Sequence, residues 1–182
     1  MLNIEFHLAS DIEKKSIMGK VDHMLGGGVA SNAIGKLGIV LASGKRIELF
    51  LVTNELISAF MKMRGKRNPY CLGVYFADLL NNELLLSIEG ATLCSVHTHQ
   101  KVIVSNNGEQ SVLYGRDIPR SSIRSFPPSI VRNQKVIITN EFGEVLALGS
   151  ALVSGEDFSN VLENSLVIKN IIDRGWYLRK GR

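Results

Sequence analysis

Residues 101–125 read KVIVSNNGEQSVLYGRDIPRSSIRS, and this stretch decides the fold of the C-terminal half. Lys101–Ser105 is rich in β-branched residues and predicts a strand. Asn106 precedes Glu109 by three positions, which is the spacing of a capping box, so a short helix should begin immediately after Asn106. Gly115 should end this helix as its C′ residue, because glycine adopts a positive φ without strain.

The residues that follow predict a sheet of short strands. Lys135–Thr139 and Val145–Leu148 are two β-rich runs joined by Asn140–Gly143, which has the composition of a hairpin loop. Leu166–Ile171 and Trp176–Lys180 are interpreted as the strands that close the chain. Several short strands and one small helix within about 80 residues suggest a small barrel.

The N-terminal half mixes strands and helices. Lys36–Ala42 and Arg46–Thr53 predict a hairpin, and Asn54 is expected to cap the helix that follows it. Leu84–Ile88 is interpreted as a buried strand, whereas periodicity does not decide between helix and strand for residues 70–80. This half is therefore expected to be an α/β domain.

The apolar pattern lapses at His97–Gln100, and the domain boundary is placed there. The fold class is then α+β, with an N-terminal α/β domain at residues 1–98 and a C-terminal domain of short strands at residues 99–182. The first 35 residues carry no motif that we can assign to a known family.

Composition is typical of a folded globular protein. Of 182 residues, 45% are hydrophobic and 21% charged, which is enough apolar material for a core. No apolar run approaches the ~20 residues that span a bilayer, so no membrane association is expected. The N-terminus has no basic segment followed by an apolar one, which predicts a cytoplasmic protein without a signal peptide. Cys71 and Cys94 are too few for a disulfide framework, so both are expected to be reduced and buried.

The net charge of +4 is unevenly distributed along the chain. Residues 116–135 hold five basic residues against one acid, residues 136–167 hold five acids and no base, and residues 168–182 again hold five bases against one acid. If folding brings the two basic segments together, positive potential would be concentrated on one face, which suits a phosphate backbone. The alternative is that these are ordinary solvated side chains.

Neither a catalytic nor a metal-binding signature is recognisable. Gly26–Gly28 lacks the Gly-Lys-Ser/Thr of a phosphate loop and is interpreted as a flexible turn. Cys94 would face away from His97 and His99 on an extended segment, and no fourth ligand is nearby in the sequence. The sequence therefore predicts no enzyme, no metal and no cofactor. An enzyme with a cryptic site around His97 and Cys71 is the alternative from a different class.

Two adjacent aromatic residues lie near the end of the chain. Trp176 and Tyr177 would face opposite sides of the predicted strand, since successive side chains alternate along a strand. Two interpretations stay open for them. Either both rings pack within the domain, or one of them stacks on a nucleobase.

Three of these segments resemble a PUA domain, the RNA-binding module named after pseudouridine synthases and archaeosine transglycosylases. They are GEQSVLYG at residues 108–115, RDIPRSSI at residues 116–123 and DRGWYLRKG at residues 173–181. The longer run KVIVSNNGEQSVLYG resembles the Nip-seven family of large-ribosomal-subunit biogenesis factors. IELFLVTNELISAF and the pair Gly73 and Phe76 are similar to the N-terminal domain of that family, so the resemblance covers roughly residues 45–180.

The resemblance implies an N-terminal α/β domain followed by a C-terminal PUA pseudo-barrel with one small helix, in a non-catalytic protein. Such a protein would bind single-stranded or looped regions of precursor ribosomal RNA, with ribosome-assembly or RNA-processing proteins as further partners. The alternative is an accessory subunit of a system that modifies transfer RNA. The candidate RNA-binding residues flank the short helix, the strand after it and the final strand: Arg116, Arg120, Arg124, Lys135, Lys169, Arg174, Arg179 and Lys180.

One departure from that family concerns the first domain. Shortly after the pair Gly73 and Phe76, where the family has lysines, this chain has Asp78 and Asn81. An acid in place of a base removes the charge that would attract a phosphate. A nucleic-acid contact by the first domain is therefore not expected, and the candidate site is confined to the C-terminal domain.

Overall fold

The computed structural model describes residues 5–44, 46–63, 69, 71–176 and 179, which divide into two compact units. Unit 1 runs up to His23 and from Gly27 to Leu93, and unit 2 consists of Met24–Gly26 and the residues from Cys94 onward. The boundary after residue 98 stays a prediction, and the two units divide between Leu93 and Cys94. None of the helices in the described ranges is long and apolar enough to cross a membrane.

Unit 1 is built on a meander of five strands. Its elements, in chain order, are β1 (Glu5–Leu8), α1 (Asp11–Leu25), α2 (Val29–Ile34), β2 (Gly38–Ser43), β3 (Ile47–Val52), α3 (Asn54–Met63), β4 (Val74–Leu80), β5 (Glu83–Leu86) and α4 (Ile88–Ser95). The strands are antiparallel in the order β1-β2-β3-β4-β5, so every strand pairs with its neighbour along the chain. The predicted β2–β3 hairpin is confirmed. The undecided segment at residues 70–80 contributes strand β4.

One core cluster of unit 1 lies between its sheet and α3. Phe6, Phe50 and Phe60 are buried together there, and the ring centroid of Phe6 lies 6.0 Å from that of Phe50 and 6.5 Å from that of Phe60. Contacts of this kind between aromatic rings add to the stabilisation that burial itself provides. The expectation that both cysteines are buried is confirmed for Cys94, which is buried, and is wrong for Cys71, which is exposed.

Unit 2 contains a sheet of six short strands. Its elements are β6 (Lys101–Val104), α5 (Asn106–Leu113), β7 (Ile118–Pro119), a 3₁₀ turn (Arg120–Ser122), β8 (Ile123–Ser125), β9 (Lys135–Thr139), β10 (Val145–Ala151), a second 3₁₀ turn (Phe158–Asn160) and β11 (Leu166–Asp173). The strand order is β7-β11-β10-β9-β6-β8, and only β6 and β9 are parallel. The predicted β9–β10 hairpin is confirmed, with Gly143 at a φ of 83° in its loop.

The sheet of unit 2 curls into a nearly closed pseudo-barrel. Its two edge strands are β7 and β8, yet only residues 120–122 separate them along the chain. The four Cα–Cα steps from Pro119 to Ile123 reach about 14 Å at most, so the two edges of the sheet must approach each other. Val102, Val136, Ile138 and Ile168 are fully buried inside this barrel. The α+β fold class predicted from the sequence is confirmed.

Two predicted helix caps are wrong by one residue. The backbone N–H of Leu56 donates to the hydroxyl of Thr53 at 3.4 Å, so Thr53 caps α3 and Asn54 is its first helical residue. Likewise Ser105 caps α5 by accepting a hydrogen bond from the N–H of Gly108 at 3.3 Å. In both places a hydroxyl residue precedes an asparagine, and either side chain can cap a helix. The end of the preceding strand decides between them.

The predicted strand at Trp176–Lys180 is wrong. Trp176 and Arg179 have helical backbone conformation, and the N–H of Arg179 donates to the carbonyl of Gly175 at 3.1 Å. A helical turn brings Arg179 back close to Asp173, whereas a strand would place the two residues farther apart. Since Trp176 does not lie on a strand, the argument that its ring and that of Tyr177 face opposite sides is wrong. Tyr177 itself lies outside the described residues.

Candidate nucleic-acid interface

A row of polar residues crosses three adjacent strands of unit 2. Lys135 on β9 pairs with Ser150 on β10, and Ser150 pairs with Lys169 on β11. Residues that pair across antiparallel strands project from the same face of the sheet. We call Lys135, Ser150 and Lys169 the lysine row. It joins two lysines that are 34 positions apart in the sequence, one from each basic segment.

The lysine row lies on the outer face of the barrel. Val136 and Ile168, the chain neighbours of the two lysines, are buried in the core, whereas Lys169 is exposed and Lys135 is half-buried, so both lysines reach solvent. Neither lysine side chain makes a hydrogen bond or ion pair with another described residue. Two strand spacings separate their backbones by about 10 Å. Two cations at this distance on an exposed face can both contact one phosphate backbone.

The C-terminal end of α5 lies against β11, the strand that carries Lys169. The N–H of Gly115, whose φ is 78°, donates to the carbonyl of Val112, and the N–H of Arg116 donates to that of Ser111. This is a Schellman motif, and Gly115 occupies the C′ position predicted for it. The chain therefore leaves α5 in a defined direction at Tyr114, which caps the helix.

Asn170 fastens this end of α5 to β11. Its side-chain amide donates to the carbonyl of Val112 at 3.1 Å and to that of Arg116 at 3.4 Å. Its backbone N–H donates to the carboxylate of Asp117 at 2.8 Å. Asn170 directly follows Lys169, so the end of α5 is fastened to the strand that carries Lys169, although the two side chains leave that strand on opposite faces.

Arg179 is held by internal partners. Its two terminal nitrogens each lie 2.9 Å from a carboxylate oxygen of Asp173, whose side chain is 4% exposed, and it also donates to the carbonyl of Leu113. The hydrogen bonds with Asp173 raise the pKa of the Arg179 guanidinium. Gly175 permits this arrangement, because a Cβ there would lie 1.9 Å from the oxygen of Leu113. We call Asp173 and Arg179 the arginine clamp.

Three further predicted site residues also have partners within unit 2. Arg120 donates to the carbonyl of Phe158 at 3.1 Å, lies over the ring of Phe158 at 5.5 Å and is 3.7 Å from Glu163. Arg124 pairs with Glu141 at 3.1 Å, with both side chains more than half exposed. Arg174 donates to the carbonyl of Val145. Lys180 lies outside the described residues.

Sequence reasoning missed the exposed aromatic ring of this region. Tyr114 is 68% exposed, and the guanidinium of Arg116 lies 5.8 Å from the centroid of its ring. The signal that could have identified it is helical phase, because Tyr114 lies two positions after the buried Val112 and therefore on the opposite side of the helix. Trp176, which was considered for stacking, is 41% exposed.

In unit 1, Asp78, which departs from the lysines of the Nip-seven family, has a structural role. Asp78 is 7% exposed, and its carboxylate forms an ion pair with the guanidinium of Arg46 at an N–O distance of 2.8 Å. Burial beside this carboxylate raises the pKa of Tyr75. Among the described residues, no group of three or more His, Cys, Asp or Glu side chains is arranged to hold a metal ion.

The nearly closed barrel of short strands, with one small helix and a cationic outer face, defines a PUA-domain protein. A family model described as the UPF0113 PUA domain matches residues 100–182. The chain is 30% identical over 141 residues to a UPF0113 protein of Archaeoglobus fulgidus, covering 78% of each. The chain belongs to the UPF0113 family.

Solved archaeal structures have the same fold along nearly the whole chain. A hypothetical protein of Pyrococcus horikoshii OT3 superposes with a TM-score of 0.68 at 17% identity, covering 96% of this chain and 99% of its own. A conserved PUA-domain protein of Thermoplasma acidophilum gives 0.68 at 16% identity, covering 97% and 99%. A PUA-domain protein of Aeropyrum pernix K1, solved as a tartrate complex, gives 0.70 at 12% identity, covering 97% and 90%. The presence of a PUA domain suggests RNA binding.

Proposed function

We propose that this protein is a non-catalytic RNA-binding protein that acts in the cytoplasm during assembly of the large ribosomal subunit. Its PUA domain would bind precursor ribosomal RNA in single-stranded or looped regions, alongside assembly or processing proteins. The observation that carries the proposal is the lysine row, in which two lysines that have no partner among the described residues share the outer face of the barrel.

Electrostatics supports a phosphate backbone as the ligand of this face. A lysine that neutralises a phosphate releases a counterion from the nucleic acid, and this supplies much of the binding free energy. Lys135, Lys169 and Arg116 have side chains free of ion pairs within the described residues, so binding a phosphate breaks no internal salt bridge. Arg120, Arg124, Arg174, Arg179 and Lys180 remain in the proposed interface as secondary contributors.

The ribosomal assignment rests on the resemblance to the Nip-seven family, which spans both halves of the chain. An accessory role in transfer-RNA modification keeps the same fold and the same interface, and it therefore predicts a different RNA rather than a different site. The match of residues 100–182 to a PUA domain, a module that binds RNA, favours a binding role over an enzymatic one.

Crosslinking in the native cells tests the proposal. The full chain is crosslinked to RNA by ultraviolet light and the attached RNA is sequenced, in parallel with a Lys135→Ala/Lys169→Ala variant. We expect reads from precursor ribosomal RNA that are strongly reduced in the double variant. Reads concentrated in transfer RNA would support the alternative, and a wild-type signal no higher than background would contradict RNA binding altogether.

A further inference from the structure

Tyr114 and Arg116 form an exposed aromatic and cationic pair at the end of α5. Tyr114 is 68% exposed although it belongs to a well-ordered helix cap, and the guanidinium of Arg116 lies 5.8 Å from its ring centroid. The exposed part of a tyrosine ring contributes no free energy of burial to the stability of the fold. A flat ring of this kind can instead offer a face on which another flat ring stacks.

Hydrogen bonds fix the backbone that carries the pair. Tyr114 caps α5, the Schellman hydrogen bonds fix Gly115 and Arg116, and Asn170 binds the carbonyl of Arg116 from β11. Arg179 packs against the same turn, because a Cβ on Gly115 would lie 2.7 Å from its guanidinium. We call Tyr114 and Arg116 the platform. Because its backbone is already fixed, the platform loses little backbone entropy when a ligand binds to it.

Electrostatics indicates which part of a nucleotide suits this position. The carbonyl end of a helix carries a partial negative charge, which disfavours a phosphate. Arg179 satisfies one of these carbonyls, that of Leu113, and is itself neutralised by Asp173. At the end of α5 the ring of Tyr114 therefore suits an uncharged base, whereas the free cations of Arg116 and of the lysine row suit phosphates.

We propose that Tyr114, supported by Arg116, stacks on an unpaired nucleobase of the RNA whose backbone contacts the lysine row. This rests on the proposed function and specifies the class of RNA. In a duplex each paired base is stacked between its neighbours, which cover both of its flat faces. Only a nucleotide in a single strand or a loop can therefore place a free face on the tyrosine ring. The platform thus selects unpaired RNA, while the lysines bind the backbone without regard to sequence.

The test compares three ligands with three variants of the full chain. The ligands are an oligouridylate of about ten nucleotides, a strand of the same length in which the bases are replaced by abasic riboses, and a duplex RNA. The variants are Tyr114→Ala, Tyr114→Phe and Lys135→Ala/Lys169→Ala, and each affinity is measured at several salt concentrations. Circular dichroism confirms that each variant is folded.

We expect Tyr114→Ala to weaken binding of the oligouridylate about tenfold, equivalent to 1.4 kcal/mol. This factor should stay constant with salt, because stacking releases no counterions. Tyr114→Phe should bind within about twofold of the wild type, since its ring also stacks. Binding of the abasic strand and of the duplex should be the same for Tyr114→Ala as for the wild type.

Three results would overturn the stacking role: no effect of Tyr114→Ala on the oligouridylate, an equal loss on the abasic strand, or a loss in Tyr114→Phe as large as in Tyr114→Ala. If in any of these cases the lysine double variant still weakens binding, RNA binding through the lysine row stands and only the platform is wrong. If the wild-type chain binds none of the three ligands, the proposed function itself fails.

Discussion

The lysine row and the arginine clamp carry the same type of charge but differ in what surrounds it. Lys135 and Lys169 project from the outer face of the barrel with no internal partner among the described residues, whereas Arg179 lies against the buried carboxylate of Asp173. A count of basic residues treats these positions alike. The structure separates cations that are available to a ligand from cations that hold the fold together, and mutations at the two places should have different consequences.

The largest effect on folding is expected at the arginine clamp. Asp173→Ala removes two charge-assisted hydrogen bonds from an almost fully buried side chain, so the free energy of unfolding should fall by about 2 kcal/mol. Urea unfolding measures this change. A loss of less than about 0.5 kcal/mol would show that the clamp stabilises the fold no more than an exposed ion pair does. That result would contradict the contrast drawn between the arginine clamp and the lysine row.

A smaller effect is expected at the start of α5, the helix whose far end carries the platform. Ser105→Ala removes the cap that accepts from the N–H of Gly108, and the free energy of unfolding should fall by about 1 kcal/mol. Asn106→Ala is the matched control, because Asn106 is exposed and lies inside the helix. If Asn106→Ala proved the more damaging of the two in urea unfolding, the capping box predicted from the sequence would be right and the cap at Ser105 wrong.

The smallest effect on stability is expected at the exposed pair of Arg124 and Glu141. Glu141→Ala should change the free energy of unfolding by less than about 0.5 kcal/mol, since solvent and salt screen such pairs. It should also free Arg124 for RNA, so affinity for a single strand should rise slightly at low salt. Weaker RNA binding in the Glu141→Ala variant would show that Glu141 orients Arg124 toward the ligand.

Local signals allowed much of the barrel to be predicted from the sequence. Gly143 in the β9–β10 loop and Gly115 at the end of α5 have the positive φ that their positions require, and glycine supplies it at no steric cost. Helix caps were less predictable, because Ser105 and Asn106 are both good caps and the choice depends on where β6 ends. The resemblance placed the PUA domain, and the nearly closed sheet agrees with it.

The candidate site depended on information that is not local. Lys135 and Lys169 face the same way only because both pair with Ser150, and strand register is set by the whole sheet. Nor could the sequence show that Arg179 returns to Asp173, since residues 176–180 were predicted as a strand. Charge segments indicated the region that we propose as the RNA-binding face, but the availability of each cation followed from its neighbours in space.

The salt dependence of RNA binding by the lysine row tests the central claim most directly. The affinity of the full chain for a single-stranded oligouridylate is measured across a range of salt for the wild type, Lys135→Ala/Lys169→Ala and the matched control Lys15→Ala/Lys36→Ala, which removes two exposed lysines of unit 1. If each row lysine contacts one phosphate, the slope of log K against log salt should flatten by about 1.4 in the row variant, with about 25-fold weaker binding at ~0.1 M salt. The control should keep the wild-type slope. An unchanged slope in a folded row variant, or an equal change in the control, would contradict the assignment of the RNA-binding face to the lysine row.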